Sequence, residues 1–247
     1  ANITAKALTA TGITAANRVY NGGTDATLTA ANPRLSGVLG SENVTLSTAD
    51  ARGAFADKNV GTGKTVTVSN LSLGGSDAGN YSLNSYTTTA NITAKALTAT
   101  GITAASRVYN GGTDATLTTA NAGLSGVISG DAVSLNTATA SGAFADKNVG
   151  TNKPVTANLS ISGTDAGNYT LTQPTGLTAD ISKATLTTTG AAAQNKTYDR
   201  TTAATITGAT LVGVFSDDTV TVSGDGSFAD WNVGINKPVT ANLSISG

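Results

Sequence analysis

The stretch DAGNYSL at 77–83 returns as DAGNYTL at 165–171. Aromatic residues make up 4% of this chain and charged residues 12%, so a repeated Asp-Ala-Gly-Asn-Tyr either does chemistry twice or holds something together twice. The flanking sequence decides. ANITAKALTATGITAANRVYNGGTDATL at 1–28 comes back at 90–117 with one change, and GAFADKNVGTGK at 53–64 comes back at 142–153 as GAFADKNVGTNK. A third copy starts near Ile181 and runs to FADWNVGINKPVTANLSISG at 228–247. The same NLSISG in copy two leads into TDAGNY, so copy three stops short of that motif. A period near 90 residues is too long for a solenoid unit and suits a small domain. The expected organisation is repeat 1 at 1–91, repeat 2 at 92–180 and repeat 3 at 181–247, the last truncated before its DAGNY strand.

Composition narrows the function classes. Net charge is −1, so there is no basic field to attract nucleic acid or an anionic membrane. No apolar run reaches membrane-spanning length, and no secretion leader is visible in this segment, which reads as a piece of a longer chain. Cys, His and Met are all absent. Missing Cys rules out disulfides and thiolate sites, and missing His removes the commonest metal ligand and neutral-pH acid/base. No catalytic, metal or cofactor-binding residue is expected, and the chain reads as a non-enzyme.

The pattern is all-β. In NKPVTANLSISG, Val155, Ala157, Leu159 and Ile161 share one face with Thr and Ser opposite, the alternation of a half-buried strand, and Val239, Ala241, Leu243 and Ile245 repeat it. Copy one carries one extra residue there, which would flip Leu71 and Leu73 to the wrong face, so a β-bulge is expected near Ser69–Asn70. Asn21-Gly22 and Asn110-Gly111 predict hairpin turns, and Tyr198-Asp199-Arg200 predicts a different turn in copy three. The connections TTTANITAKALT and GLTADISKATLT contain no flexible linker, so strands are expected to run from one domain into the next. Several short strands per repeat fit a tandem array of immunoglobulin-like (Greek-key) β-sandwiches joined end to end into a rod of roughly 100 Å.

Asp-Ala-Gly-Asn-Tyr has the spacing with which such sandwiches turn a corner into the penultimate strand, the Tyr ring entering the core and its hydroxyl bonding nearby backbone. Asp77, Gly79 and Tyr81, and Asp165, Gly167 and Tyr169, are the structural-corner residues on this reading. The rival is a Ca²⁺ site on Asp77 and Asn80, which offers too few oxygens for a six-to-eight-oxygen cage.

The repeat as a whole resembles the YDG repeats, and the related MBG repeats, of very large bacterial surface proteins of the filamentous-haemagglutinin type. The resemblance is carried by ITAKALTATGITAANRVYNGGTDATL, GVLGSENVTL, GAFADKNVGTGKTVTVSNLSLGGSDAGNYSL and their second copies, and covers essentially the whole chain. It implies a secreted or outer-surface Gram-negative adhesin, extracellular or associated with the outer membrane, in which these repeats form the stalk, project adhesive regions or build a filament for attachment and biofilm. It supplies no catalytic residues.

Two other readings stay open. Each repeat could itself be a glycan- or matrix-binding module, or the repeats could self-associate by strand complementation into a fibre. The expected partners are neighbouring repeats of the same chain, with self-association and extracellular polysaccharide as further candidates, no nucleic acid and no membrane insertion of this segment. Trp231 stands where copies one and two have Lys58 and Lys147, and is the candidate contact residue of copy three. An isopeptide between Lys64, Lys153 or Lys237 and Asn59, Asn148 or Asn232 lacks the catalytic acid it would need; the plain reading puts those lysines in solvent. Asn-x-Ser/Thr triplets, including those at Asn80 and Asn168, are candidate glycosylation sites.

Overall fold

The structure, a computed structural model, describes residues 1–247. The chain is all-β, interrupted only by single 3-10 turns at Ala78–Asn80 and Ala166–Asn168. Copy one contains β1 (Lys6–Thr11), β2 (Thr14–Ala15), β3 (Arg18–Val19), β4 (Asp25–Ala26), β5 (Leu28–Thr29), β6 (Arg34–Ser36), β7 (Thr45–Ser47), β8 (Arg52–Phe55), β9 (Gly61–Ser69), β10 (Ser72–Gly74), β11 (Tyr81–Leu83) and β12 (Tyr86–Thr93). These make a five-stranded sheet in the order β3-β12-β9-β8-β4, a three-stranded sheet β11-β1-β6, and the pairs β2–β5 and β10–β7. β11, the strand that follows the DAGNY corner, runs parallel to β1, Lys6 opposite Tyr81. The last strand of the repeat, β12, is antiparallel to β9 and parallel to β3.

Alternation explains the strands. Leu8 and Ala10 of β1 are buried while the threonines between and beside them face out. Thr favours the pleated surface, so the polar face keeps strand propensity without adding apolar area. The 150–162 strand of copy two behaves as its pattern predicts: Val155 and Leu159 are buried, and Thr156, Asn158 and Ser160 are exposed. In copy one the irregularity falls where the extra residue was expected, but as a strand break rather than a bulge. Asn70 takes the left-handed conformation (φ 60°), ends β9, and hands the chain to β10 on a different partner, β7.

The Asn-Gly hairpin does not form. β3 and β4 lie at opposite edges of the five-stranded sheet, and Tyr20–Thr24 crosses between them. Four interstrand intervals span about 19 Å in a flat sheet. The crossing loop has six residue steps at most, about 20 Å fully extended, and part of it is a tight turn. The sheet must therefore curl until its edges approach. The Asn21 carboxamide oxygen accepts from the Gly23 N–H at 3.0 Å, and the Arg18 guanidinium donates to the Asn21 side chain and the Gly23 carbonyl while lying over Phe55. Copy three keeps this turn, contrary to the sequence expectation. Asp199 accepts from the Thr201 N–H at 2.9 Å, Arg200 is left-handed (φ 64°), and Lys196 replaces the arginine. A carboxylate serves the same Asx turn as a carboxamide, so losing Asn-Gly does not change the turn.

By contact density the chain falls into two compact units, Ala1–Ile102 with Thr119–Ala140 and Leu159–Pro174, and Thr103–Thr118 with Ser141–Asn158 and Thr175–Gly247. Neither follows the sequence repeat. In the first unit one cluster of buried residues takes Tyr20, Phe55, Val66 and Ala90 from copy one, Ile92 from the strand that crosses the boundary, and Leu97 and Tyr169 from copy two. Only Ala94 separates β12 from the first strand of copy two, Lys95–Thr100. In the second unit Ala115, Phe144, Val155, Ala179 and Ile181 form the buried cluster.

Ile92 is fully buried within this shared core. Ile92→Ala should cost about 2–5 kcal/mol in thermal or denaturant unfolding. Ile3→Ala, at a fully exposed position, should cost nothing measurable.

Candidate functional site: the joint between repeats

In copy one the corner residues act within their own repeat. The Asp77 carboxylate accepts from the Asn43 N–H at 2.8 Å. The Tyr81 ring is buried, and its hydroxyl accepts from the Leu39 N–H at 3.0 Å and donates to Glu42. Gly75, just before the corner, has φ +100°, and a Cβ there would lie 2.2 Å from the Asn43 carbonyl oxygen; the close approach lets Asp77 reach that backbone. Gly79 and Gly167 have open space around them and no positive φ, so the structure gives no steric reason for glycine there.

Copy two repeats this corner and adds the neighbouring repeat to it. Asp165 accepts from the Ala132 N–H at 3.0 Å, and the Tyr169 hydroxyl accepts from the Ile128 N–H at 3.0 Å. Tyr169 donates to Asp131 Oδ2 at 2.6 Å, and Tyr20 of copy one donates to the same oxygen at 2.7 Å. Lys58 of copy one places its Nζ 2.8 Å from Asp131 Oδ1 and 3.0 Å from Asp165 Oδ1. The Tyr20 and Tyr169 rings meet edge to face at 5.3 Å. Asn168, only 5% exposed, accepts from the Val60 N–H at 2.9 Å and donates to Asn59 Oδ1 at 3.1 Å. Both amide atoms are thus engaged, and the folded joint leaves Asn168 unavailable as a glycosylation site. Asn80, its counterpart in copy one, is exposed.

The second joint uses the same positions. Tyr109 and Lys147 of copy two each reach Asp218 Oδ1 of copy three at 2.7 Å, and the Tyr109 ring meets Phe215 edge to face at 5.6 Å. Asp218 has no second tyrosine on it and is more open, its side chain 18% exposed against 3% for Asp131.

Burial alone would raise the Asp131 carboxyl, but the donors Lys58, Tyr169 and Tyr20 outweigh it and hold the pKa at about 2. Tyr169 is pushed the other way, to about 12, by burial and then by its bond to Asp131. Tyr20 is raised for the same two reasons. The hydrogen bonds that Lys58 donates to Asp131, Asp165 and Tyr20 keep it charged well above its ordinary range.

The turn after Phe55 also differs from expectation. Lys64 does not sit in solvent; it is largely buried and ion-paired to Asp57 at 2.7 Å, as Lys153 is to Asp146. The paired acid lies two residues before the asparagine considered for an isopeptide, and it fixes the turn by also accepting from the Asn59 N–H. Trp231 is 58% exposed, next to Val233 and Ile235, which are also exposed.

The sequence singled out the corner residues and Trp231; Tyr20, Lys58 and Asp131 were missed. A signal existed, because Tyr20/Tyr109, Lys58/Lys147 and Glu42/Asp131/Asp218 recur at equivalent positions of the copies. It gave residue types without saying that the partner lies in the next repeat.

The repeated joint is built from the segments that carry the sequence periodicity, and the family comparison falls on the same periods. The family model of the YDG domain matches residues 4–90, 93–176 and 182–247. The chain belongs to the YDG domain family. No curated protein and no solved structure matches it. In these YDG repeats the DAGNY segment is therefore both an internal corner and, in copy two, the receiver of the preceding repeat.

The depressed pKa of Asp131 makes the joint's stability fully present above the ordinary carboxyl range near 4 and lost as pH falls through about 2. The raised pKa of Tyr169 makes its contribution present below about 10 and lost as pH rises through about 12. Amide exchange at Val60 reads the joint directly, and at Ile128 it reads the copy-two corner whose Tyr169 shares Asp131 with the preceding repeat. Protection there should be constant from pH 5 to 9 after correction for intrinsic rates, and fall on acidification before that at Leu39. Asp131→Asn should remove about 1–3 kcal/mol of it at neutral pH.

Proposed function

We propose that these repeats are the stalk of a bacterial surface or secreted adhesin, a spacer that holds adhesive regions away from the cell or builds an extracellular filament. The observation that carries the reading is that both joints use the same side-chain clasp, a tyrosine and a lysine of one repeat on an aspartate of the next. A spacer transmits position only if its joints resist bending. A buried carboxylate with three donors from two repeats resists bending, because opening the joint leaves polar groups without partners. The adhesin and extracellular parts rest on the resemblance of the repeats to those of filamentous-haemagglutinin-type proteins and on a composition suited to secretion without oxidative trapping.

The glycan-binding reading draws support from one place, the exposed Tyr198 and Trp231 of copy three. It does not extend to the other copies, where lysines replace the Trp and contact Asp131 and Asp218.

The cysteine-free chain allows clean paired spin labels. Labels on exposed threonines of β9 and of the Lys95–Thr100 strand should give one narrow distance distribution, broadened at least twofold by combined Tyr20→Phe and Lys58→Ala. A distribution in the unsubstituted chain as broad as in the variant would contradict the stiff-spacer reading.

A further inference from the structure

Three turns of the same build carry two different side chains at their centre. In copies one and two the centre is Asn21 and Asn110, each followed by glycine, and in copy three it is Asp199. The Asn21 carboxamide oxygen accepts from two donors at once, the Gly23 N–H at 3.0 Å and the Arg18 guanidinium. Asn110 is held in the same way, by the Gly112 N–H at 3.0 Å and by Arg107. Neither arginine has a carboxylate partner. Each donates only to its asparagine and to a backbone carbonyl, and each Nε is buried with no acceptor at all. In copy three the corresponding cation, Lys196, is ion-paired to Asp199 at 2.9 Å.

The residue after each asparagine completes the set. The N–H groups of Gly22 and Gly111 make no hydrogen bond within the chain, and glycine puts no side chain in the way of that nitrogen. Asn21 and Asn110 are exposed, so water reaches both. A free nitrogen thus lies next in the chain to a carbonyl whose oxygen is held by a cation and a backbone N–H, which are the parts of an intramolecular acyl transfer.

We propose that Asn21 and Asn110 are self-modification sites, converted to aspartate in the folded chain by the backbone nitrogen that follows each, with Arg18 or Arg107 stabilising the oxygen that becomes negative. The Gly22 nitrogen bonds to Asn21 Cγ and gives its proton to water. The Cγ–Nδ2 bond breaks, and Nδ2 takes a proton and leaves as ammonia. One water then adds to the cyclic imide and reopens it. Arg18 polarises the Cγ carbonyl of the imide rather than the main-chain one, so water adds at Cγ. The N–Cγ bond breaks, and aspartate is left with the backbone intact. Addition at the main-chain carbonyl would instead give isoaspartate, the usual majority product in a flexible peptide. The product puts a carboxylate beside an arginine that lacks one. Copy three shows that the turn accepts aspartate, since Asp199 keeps the bond from the N–H two residues on, at 2.9 Å. The inference is independent of the stalk reading.

The test is incubation of the full chain at mildly alkaline pH, then digestion in acid and peptide mass spectrometry with fragmentation that separates aspartate from isoaspartate. Asn21 and Asn110 should become acids ahead of the other asparagines, with aspartate the main product, while a synthetic peptide of residues 14–29 should give mainly isoaspartate. Arg18→Gln should slow conversion at Asn21 about tenfold or more, as loss of an oxyanion donor does. Asn110 in the same molecule is the control and should convert at its former rate. Asn21→Asp should unfold at a higher temperature than the unsubstituted chain at neutral pH, a gain lost as pH falls through the carboxyl range. Retention of both amides in the folded chain, isoaspartate as its main product, an undiminished rate at Asn21 in Arg18→Gln, or a lower unfolding temperature for Asn21→Asp would each overturn the proposal.

Discussion

A carboxylate as buried as Asp131 must be given donors, because removing its charge from water costs several kcal/mol unless nearby groups replace the lost hydration. Here the donors come from two repeats. Tyr169 of its own repeat and Tyr20 of the preceding one share Oδ2, and Lys58 of the preceding one takes Oδ1. Loss of any of the three leaves the buried acid short of a donor, so the acid ties the position of one repeat to the next. Nearby groups depend on this arrangement: Asn168 bridging to the Asp57–Val60 turn, the Tyr20–Tyr169 ring contact, and the core that passes through the boundary.

This constraint explains why packing and sequence have different periods. A repeat of about 90 residues with few aromatics is a marginal domain by itself. Sharing buried residues across the boundary enlarges the core without lengthening the repeat. The compact units therefore join copy one to the DAGNY end of copy two, and the other end of copy two to copy three. DAGNY serves on both sides: its Asp and Tyr bind the backbone of their own repeat in both copies, and in copy two its Asp, Asn and Tyr also meet the preceding one.

Much of the fold is written in local pattern. The alternation of KALTAT and KPVTANLSIS gave strands and their buried faces, the extra residue of copy one gave the irregularity at Asn70, and the Asp-x-Gly-x-Tyr spacing gave the corner. What pattern could not give is pairing. Asn-Gly reads as a hairpin locally, but the curled sheet carries those residues from edge to edge, and Arg18 stacked on Phe55 holds the loop there. The lysine pairings were hidden for a similar reason: charged residues in turns look solvated until a neighbouring acid is brought over them, Asp57 for Lys64 and Asp131 for Lys58. In a tandem array the missing partner can lie in another copy, and a near-perfect repeat hides which one.

The central claim is that Tyr20 and Tyr169 act together through Asp131. A double-mutant cycle measures this most directly, with Tyr20→Phe, Tyr169→Phe and both together, read as unfolding free energy of the full chain. The account predicts a coupling of about 1 kcal/mol or more, as for residues in one hydrogen-bond network. Strictly additive losses would mean that the two hydroxyls are independent, and would contradict the joint described for these repeats.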